Sequence, residues 1–226
     1  MAQAKLAASI LSADFAFLAD QVRLVEKHAD IVHIDVMDAH FVPPLTIGPV
    51  VVASLRPVTD LPLHAHLMIE RPEGLFDDFA EAGTDIVTFH IEAALDPAAV
   101  VGAAEERGMR AGIAVNPETS IDAVYRYLDD LDNVIVMTLE RTGFAGQAFQ
   151  DSSLRKVEAV RGEIDRRGLS VDVIVDGGIN EDSGRRCIAA GASMLAAASS
   201  IFRAPDPAEA ARRLAGVTRE MREEDG

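Results

Sequence analysis

An α/β fold, a (β/α)8 TIM barrel, is predicted by three observations. Short apolar runs alternate with amphipathic, Ala-rich stretches along the whole chain. Such alternation implies parallel strands joined by helical crossovers. The runs number eight, which fits a closed barrel. Helical stretches stop at Gly83, Gly108, Gly168 and Gly191 before the next run, the usual left-handed C-terminal stop. An open doubly wound sheet is the alternative. No linker or low-complexity segment interrupts the pattern, so residues 1–226 are read as one domain.

Taken in order, the strands are expected at residues 6–11, 31–36, 63–68, 86–90, 110–114, 133–137, 171–175 and 194–197. Between them, helices are expected at 17–27, 75–82, 97–107, 121–128, 153–167 and 183–190. Each strand is a short apolar run, and each helix carries apolar residues at helical spacing. The charged stretch 219–226 reads as a helix end fraying into solvent, a short charged tail to which no role is assigned. In a barrel, the C-terminal ends of the strands carry the active site. Ser9, Ser12, Asp35, Asp38, His66 and Asp176 all sit at or just past such ends.

The 226 residues are 49% hydrophobic, enough for a sizeable core. No apolar run is long enough to span a bilayer, and the N-terminus lacks the pattern of a signal peptide. A single cysteine, Cys187, excludes an internal disulfide framework. These features favour a cytoplasmic protein with no membrane partner. With 21 basic and 37 acidic residues, the net charge of −16 argues against a nucleic-acid partner. Any phosphate must be held by local groups such as backbone N–H or a metal.

The run His33-Ile34-Asp35-Val36-Met37-Asp38 places His33, Asp35 and Met37 on one strand face and Ile34 and Val36 on the other. A carboxylate buried beside an imidazole needs charge compensation, which a metal ion would give. In Leu63-His64-Ala65-His66-Leu67-Met68, His66 and Met68 share a face, and Val173-Ile174-Val175-Asp176-Gly177-Gly178 ends a strand in Asp-Gly-Gly. A lone strand histidine usually packs in a core, and a lone aspartate often caps a helix. Together, His33, Asp35, His66 and Asp176 form a plausible four-ligand site. Imidazole and carboxylate ligands suit zinc, manganese, iron or cobalt.

Glycine-containing segments follow the last strands: Thr142-Gly143-Phe144-Ala145-Gly146-Gln147, then Gly177-Gly178, with Ser199-Ser200 after the eighth. They serve as tight turns or, through backbone N–H groups, as a phosphate cradle. Met37, Met68 and Met137 end strands, as core filler or as an apolar cover over a substrate. His90 and Glu92 are placed at the barrel mouth without a role. His28, His40 and His64 are read as structural or exposed, and Cys187 as a packed thiol.

These motifs resemble the ribulose-phosphate 3-epimerase family over nearly the full chain. The matching pieces are Ser9-Ile10-Leu11-Ser12-Ala13-Asp14-Phe15, the His33–Asp38 run with Phe41-Val42-Pro43, His66-Leu67-Met68, Gly143-Phe144-Ala145-Gly146-Gln147, Val175-Asp176-Gly177-Gly178, and Gly191-Ala192 leading to Ser199. The resemblance implies one divalent metal held by His33, Asp35, His66 and Asp176, and epimerisation at carbon 3 of a phosphorylated ketose. It makes Asp35 and Asp176 the acid/base pair. Ser9 becomes a substrate contact, and Gly146, Gly177, Gly178 and Ser199 become phosphate-loop positions. His66, Met37, Met68, Met137, Gly143, Phe144, Ala145 and Ala198 are further expected substrate contacts. A homo-oligomer is implied by the resemblance alone.

Four positions depart from the family pattern. Ala39, Ala145 and Ala198 stand where glycine is usual, and Pro44 where asparagine is usual. The sixth-loop motif also resembles the allulose-6-phosphate 3-epimerases. D-ribulose 5-phosphate is therefore ranked first as substrate and D-allulose 6-phosphate second. A sugar-phosphate-binding barrel without catalysis is the reading from another class.

Overall fold

The computed structural model describes residues 4–220. Eight parallel strands close into a barrel in sequence order. They are β1 (Lys5–Ser9), β2 (Ile31–Met37), β3 (Leu63–Met68), β4 (Ile86–His90), β5 (Arg110–Val115), β6 (Asn133–Met137), β7 (Asp172–Asp176) and β8 (Met194–Ala197). β8 returns to β1 in the register Lys5↔Met194 to Ala8↔Ala197, which leaves no open sheet edge. The open-sheet alternative is thereby set aside.

Alternation along each strand produces two separate apolar layers. Leu6, Ala8, Val32, Ile34, Val36, Leu67, Val87 and Phe89 face outward into the core shared with the helices. Ala7, Ile31, Ile86, Ala114, Ile135, Ile174, Met194 and Ala196 fill the barrel interior. Strands buried on both faces read as continuous apolar runs, which is why these segments were visible in the sequence. A polar file crosses the interior. The His64 imidazole lies 2.8 Å from the Thr88 hydroxyl, which donates to Asn133 Oδ1 at 2.8 Å. Burial and the neighbouring histidines push His64 well below the usual histidine range.

The helices are α1 (Leu18–Val25), α2 (Pro49–Leu55), α3 (Phe76–Glu81), α4 (Pro97–Glu105), α5 (Leu154–Arg167), α6 (Glu181–Ala189), α7 (Ser199–Phe202) and α8 (Pro207–Glu220). The helix expected at 121–128 is instead wound as 3-10 turns over Ile121–Asp130. The first strand ends two residues earlier than expected, because Ser9 caps a 3-10 turn over Ile10–Ser12. α2 was not among the expected elements. Pro49 at the helix start and the burial of Val52 and Leu55 make it helical. α8 packs against α1, α6 and β1. The expected charged tail lies mostly beyond the described residues. Among these, no helix is long and apolar enough to cross a membrane. Gly168 ends α5 with φ 68°, a left-handed stop that a side chain would strain.

Candidate metal centre and active site

Strand register builds the centre. Asp35 on β2 lies opposite His66 on β3, and Ser9 on β1 opposite His33. Asp176 ends β7 opposite Met137. His33, Asp35 and Met37 turn inward as the period of two requires, while Ile34 and Val36 join the outer core.

One donor atom from each of His33, Asp35, His66 and Asp176 lies within 4.8 Å of the others. His33 Nε2 is 3.5 Å from both Asp35 Oδ1 and Asp176 Oδ2. His66 Nδ1 is 3.4 Å from Asp35 Oδ1 and 3.1 Å from Asp176 Oδ2. Both imidazoles are fully buried, and neither nitrogen of His33 makes a hydrogen bond. A buried imidazole nitrogen without a partner, aimed at two carboxylates, fits a divalent cation.

The electrostatics say the same. Burial works against charge on His33, yet Asp35 and then Asp176 raise it to about 10. Burial likewise opposes charge on His66, and hydrogen bonds to Asp176 and Asp35 raise it. Against the cost of burial, His33 and His66 hold Asp35 far below the usual carboxylate range. Burial and the charge of Asp35 push Asp176 up, but the two imidazoles bring it below its ordinary value. Carboxylates this close demand positive charge between them. Protonated imidazoles supply it, and a bound cation would supply it while releasing those protons.

Two hydroxyls fix Asp35. Ser9 Oγ donates to Asp35 Oδ2 at 2.6 Å. Thr46 Oγ1 donates to the Asp35 carbonyl at 2.7 Å and accepts from the Met37 N–H at 2.9 Å. Past the strand, the Asp38 carboxylate accepts the backbone N–H groups of His40, Phe41 and Glu70. Although burial opposes it, these bonds hold Asp38 below its usual range. Asp38 thus ties the loop after β2 to the end of β3.

A cleft opens over the two carboxylates. Ser9, Asp35, Met37, Met68, Met137, Gly143, Phe144, Ala145, Gly146, Asp176, Gly177, Gly178, Ala198 and Ser199, all named as site residues in the sequence reading, line it. His66, also expected to contact substrate, is fully buried and is not part of the wall. Leu11, Leu139, Ile179 and Ala196 line the cleft but were missed. They are apolar neighbours of the motif residues, and nothing in their type marks them. Among the described residues no lysine or arginine lines the wall, although Arg203 lies behind Gly146, its Nη1 3.3 Å from where a Cβ there would sit.

Two of the glycines in that wall have no room for a side chain. At Gly178, with φ 67°, a Cβ would come 2.5 Å from the Phe149 backbone nitrogen. At Gly143, a Cβ would meet Val42 at 2.9 Å and Pro44 at 3.3 Å, so the loop after β6 rests on the loop after β2. Gln147 closes the β6 loop, its Nε2 donating to the carbonyls of Arg141 and Phe144.

The three alanines at usual glycine positions differ from one another. Ala198 has φ −110°, and the non-glycine residues with positive φ among those described are Ala39 and Arg71. Ala145 and Ala198 therefore carry no left-handed strain. Ala39, at φ 60°, does carry it. Its N–H donates to the Pro44 carbonyl at 3.0 Å, which holds the loop in that conformation. Ala39→Gly is expected to stabilise the fold by about 0.5–1 kcal/mol, the left-handed relief exceeding the entropy that glycine adds to the unfolded chain. Denaturant unfolding would measure it, and a midpoint that falls would show that Ala39 is unstrained.

Sequence reasoning left His90 and Glu92 without a role. His90 is fully buried, with its Nε2 2.9 Å from His66 Nε2 and its Nδ1 3.3 Å from Glu92 Oε2. The pair follows the strand-end rule of the other site residues, which was the signal available. Cys187 is the packed thiol expected, fully buried, and burial pushes it up to about 12.

Comparison with known proteins gives a consistent result. The model of the ribulose-phosphate 3 epimerase family matches residues 5–202. The "Ribulose-phosphate 3-epimerase" of Bacillus subtilis is 44% identical over 214 residues, covering 94% of this chain and 98% of that protein. The protein of the same name from Mycobacterium bovis is 45% identical over 215 residues, covering 94% and 93%. Among solved structures, KGPDC from Streptococcus mutans superposes with a TM-score of 0.75 at 19% identity, covering 96% of this chain and 98% of that one. At that identity the likeness shows the barrel alone.

Proposed function

The chain belongs to the ribulose-phosphate 3-epimerase family, and from that premise we propose that it epimerises D-ribulose 5-phosphate and D-xylulose 5-phosphate at carbon 3. The observation that carries the reading is the buried His33–Asp35–His66–Asp176 cluster beneath a cleft walled by glycine loops. The names of the curated relatives support the pentulose phosphate over D-allulose 6-phosphate. Two carboxylates on the cleft wall argue against a barrel that only binds.

His33, Asp35, His66 and Asp176 would hold the divalent cation. When bound, it supplies Lewis acidity toward the oxygen beside the proton to be removed. The residues do the rest. Inversion needs one carboxylate on each face of carbon 3. Asp35, ionised, takes the proton of one epimer, leaving an enediolate, and Asp176, which must enter the turnover protonated, gives its own proton to the opposite face. The roles reverse in the other direction. Ser9, donating to Asp35, holds the carboxylate in place. Met37, Met68 and Met137 form an apolar wall that keeps water from the carbanion-like carbon. Gly143, Phe144, Ala145, Gly146, Gly177, Gly178, Ala198 and Ser199 surround the end of the cleft where backbone N–H groups would take the phosphate. A homo-oligomer belongs to the same reading through the family resemblance, and a cytoplasmic location through the sequence reading alone.

The test is proton exchange at carbon 3 in deuterated water, followed by NMR with manganese or zinc supplied. Exchange accompanied by epimer formation, faster with D-ribulose 5-phosphate than with D-allulose 6-phosphate, is expected. Folded, metal-loaded protein that exchanges neither would overturn the reading.

A further inference from the structure

The two nitrogens of His66 face different partners. Nδ1 points at Asp35 and Asp176, while Nε2 meets the Nε2 of His90 at 2.9 Å. The two rings lie nearly in one plane, 16° from parallel with centroids 5.1 Å apart, so that their Nε2 atoms meet end to end. His90 continues the line through Nδ1 to Glu92 Oε2 at 3.3 Å. Glu92 Oε1 accepts the Asn116 N–H at 2.9 Å and the Thr119 hydroxyl. Asn116 and Thr119 are themselves anchored, their carbonyls accepting from Lys156 Nζ at 3.1 and 2.6 Å.

This chain has one self-consistent direction. A neutral imidazole that offers the Nδ1 lone pair to a cation carries its proton on Nε2. That proton can be donated only to a bare His90 Nε2. His90 must then be protonated on Nδ1, and that N–H donates to Glu92. The carboxylate accepts only, and its other oxygen is already satisfied by Asn116 and Thr119. We infer that His90 and Glu92 are positioning residues that lock His66 in its Nδ1-donating tautomer and thereby set metal affinity. The inference rests on His66 being a metal ligand. Partners of this kind orient a ligating imidazole and raise its basicity, and their loss typically costs about 10–100-fold in metal affinity.

The test is zinc binding by competition with a chromophoric chelator, using the full chain stripped of metal. Glu92 is on a 3-10 turn and partly exposed, so its substitution leaves the barrel core intact. Glu92→Ala is expected to weaken zinc binding about 10–100-fold. Glu92→Gln, which keeps an acceptor but not the charge, is expected to weaken it less. The d–d band of the cobalt-loaded protein should shift in both variants, as a merely structural role would not require. In a His66→Asn background, Glu92→Ala should add no further loss. Wild-type protein that binds zinc alongside a Glu92→Ala variant of equal affinity would overturn the inference. So would a loss that persists undiminished without His66. Wild-type protein that binds neither zinc nor cobalt would instead overturn the metal reading beneath it.

Discussion

Asp176→Asn should lower epimerisation by about 10²–10⁴-fold, the usual contribution of a positioned acid or base. At 1.36 kcal/mol per tenfold, that is about 3–5 kcal/mol of barrier. Asparagine matches the shape of aspartate but cannot take or return a proton. The loss should be direction-specific in a way that separates chemistry from folding. If Asp35 takes the proton of D-ribulose 5-phosphate, that substrate should still exchange carbon-3 hydrogen with solvent in the variant. D-xylulose 5-phosphate, whose proton would go to Asp176, should not. Metal content must be measured alongside, because Asp176 also contacts His33 and His66. Wild-type turnover in Asp176→Asn would remove Asp176 from the reaction. Equal exchange with both epimers in metal-loaded variant would remove the two-carboxylate division of labour.

Stripping the metal should abolish turnover and change how stability depends on pH. The sign follows from the buried cluster. Without metal, His33 is raised from 6.5 to about 10, with burial opposing and Asp35 and Asp176 raising it. A raised histidine contributes stability that is full below its unfolded value and lost as pH climbs through the folded one. Asp35 and Asp176 are shifted down, so their contribution is present above the ordinary aspartate value of 3.8 and lost as pH falls further. Metal-free protein should therefore be most stable near pH 6.5: above it the raised His33 loses its contribution toward pH 10, and below it the buried His64 and His90, both held below their ordinary value by burial, cost stability as the unfolded chain takes up protons. Metal-loaded protein, whose ligand histidines are neutral, should hold its stability on that alkaline side. It should release metal in acid, where protons compete for the imidazoles. Metal at about 100 times its Kd adds about 2.7 kcal/mol, or about 5–10 °C in a chain of this size. Thermal scans with and without chelator across this range would check it. Identical curves and undiminished turnover after chelation would show that these four residues hold no functional metal.

Much of the fold could be read beforehand because its signals are local. Parallel strands buried on both faces are short apolar runs, and the helices between them carry their own periodicity and glycine stops. Where local signals conflict with packing, the reading failed. Val50, Val51 and Val52 are β-branched and weak helix formers, yet Pro49 and the burial of Val52 and Leu55 make the segment helical. Ile10 and Leu11 look like the end of β1, yet Ser9 turns the chain there and gives its hydroxyl to Asp35.

The same division runs through the site. By itself the sequence determined the barrel class, the shared inward face of His33, Asp35 and Met37, and the glycine loops, because alternation and turn chemistry act over a few residues. Only the tertiary structure decided which distant groups meet. Asp176 reaches within 3.1 Å of His66 across 110 positions, because barrel closure brings the end of β7 to the same mouth as β2 and β3. The same closure buries His66 behind the carboxylates and sets it against His90. The strain in Ala39 likewise depends on a loop conformation held by the Pro44 carbonyl, which residue type alone does not specify. Such distances come from strand register and packing around the whole ring, and no local segment encodes them.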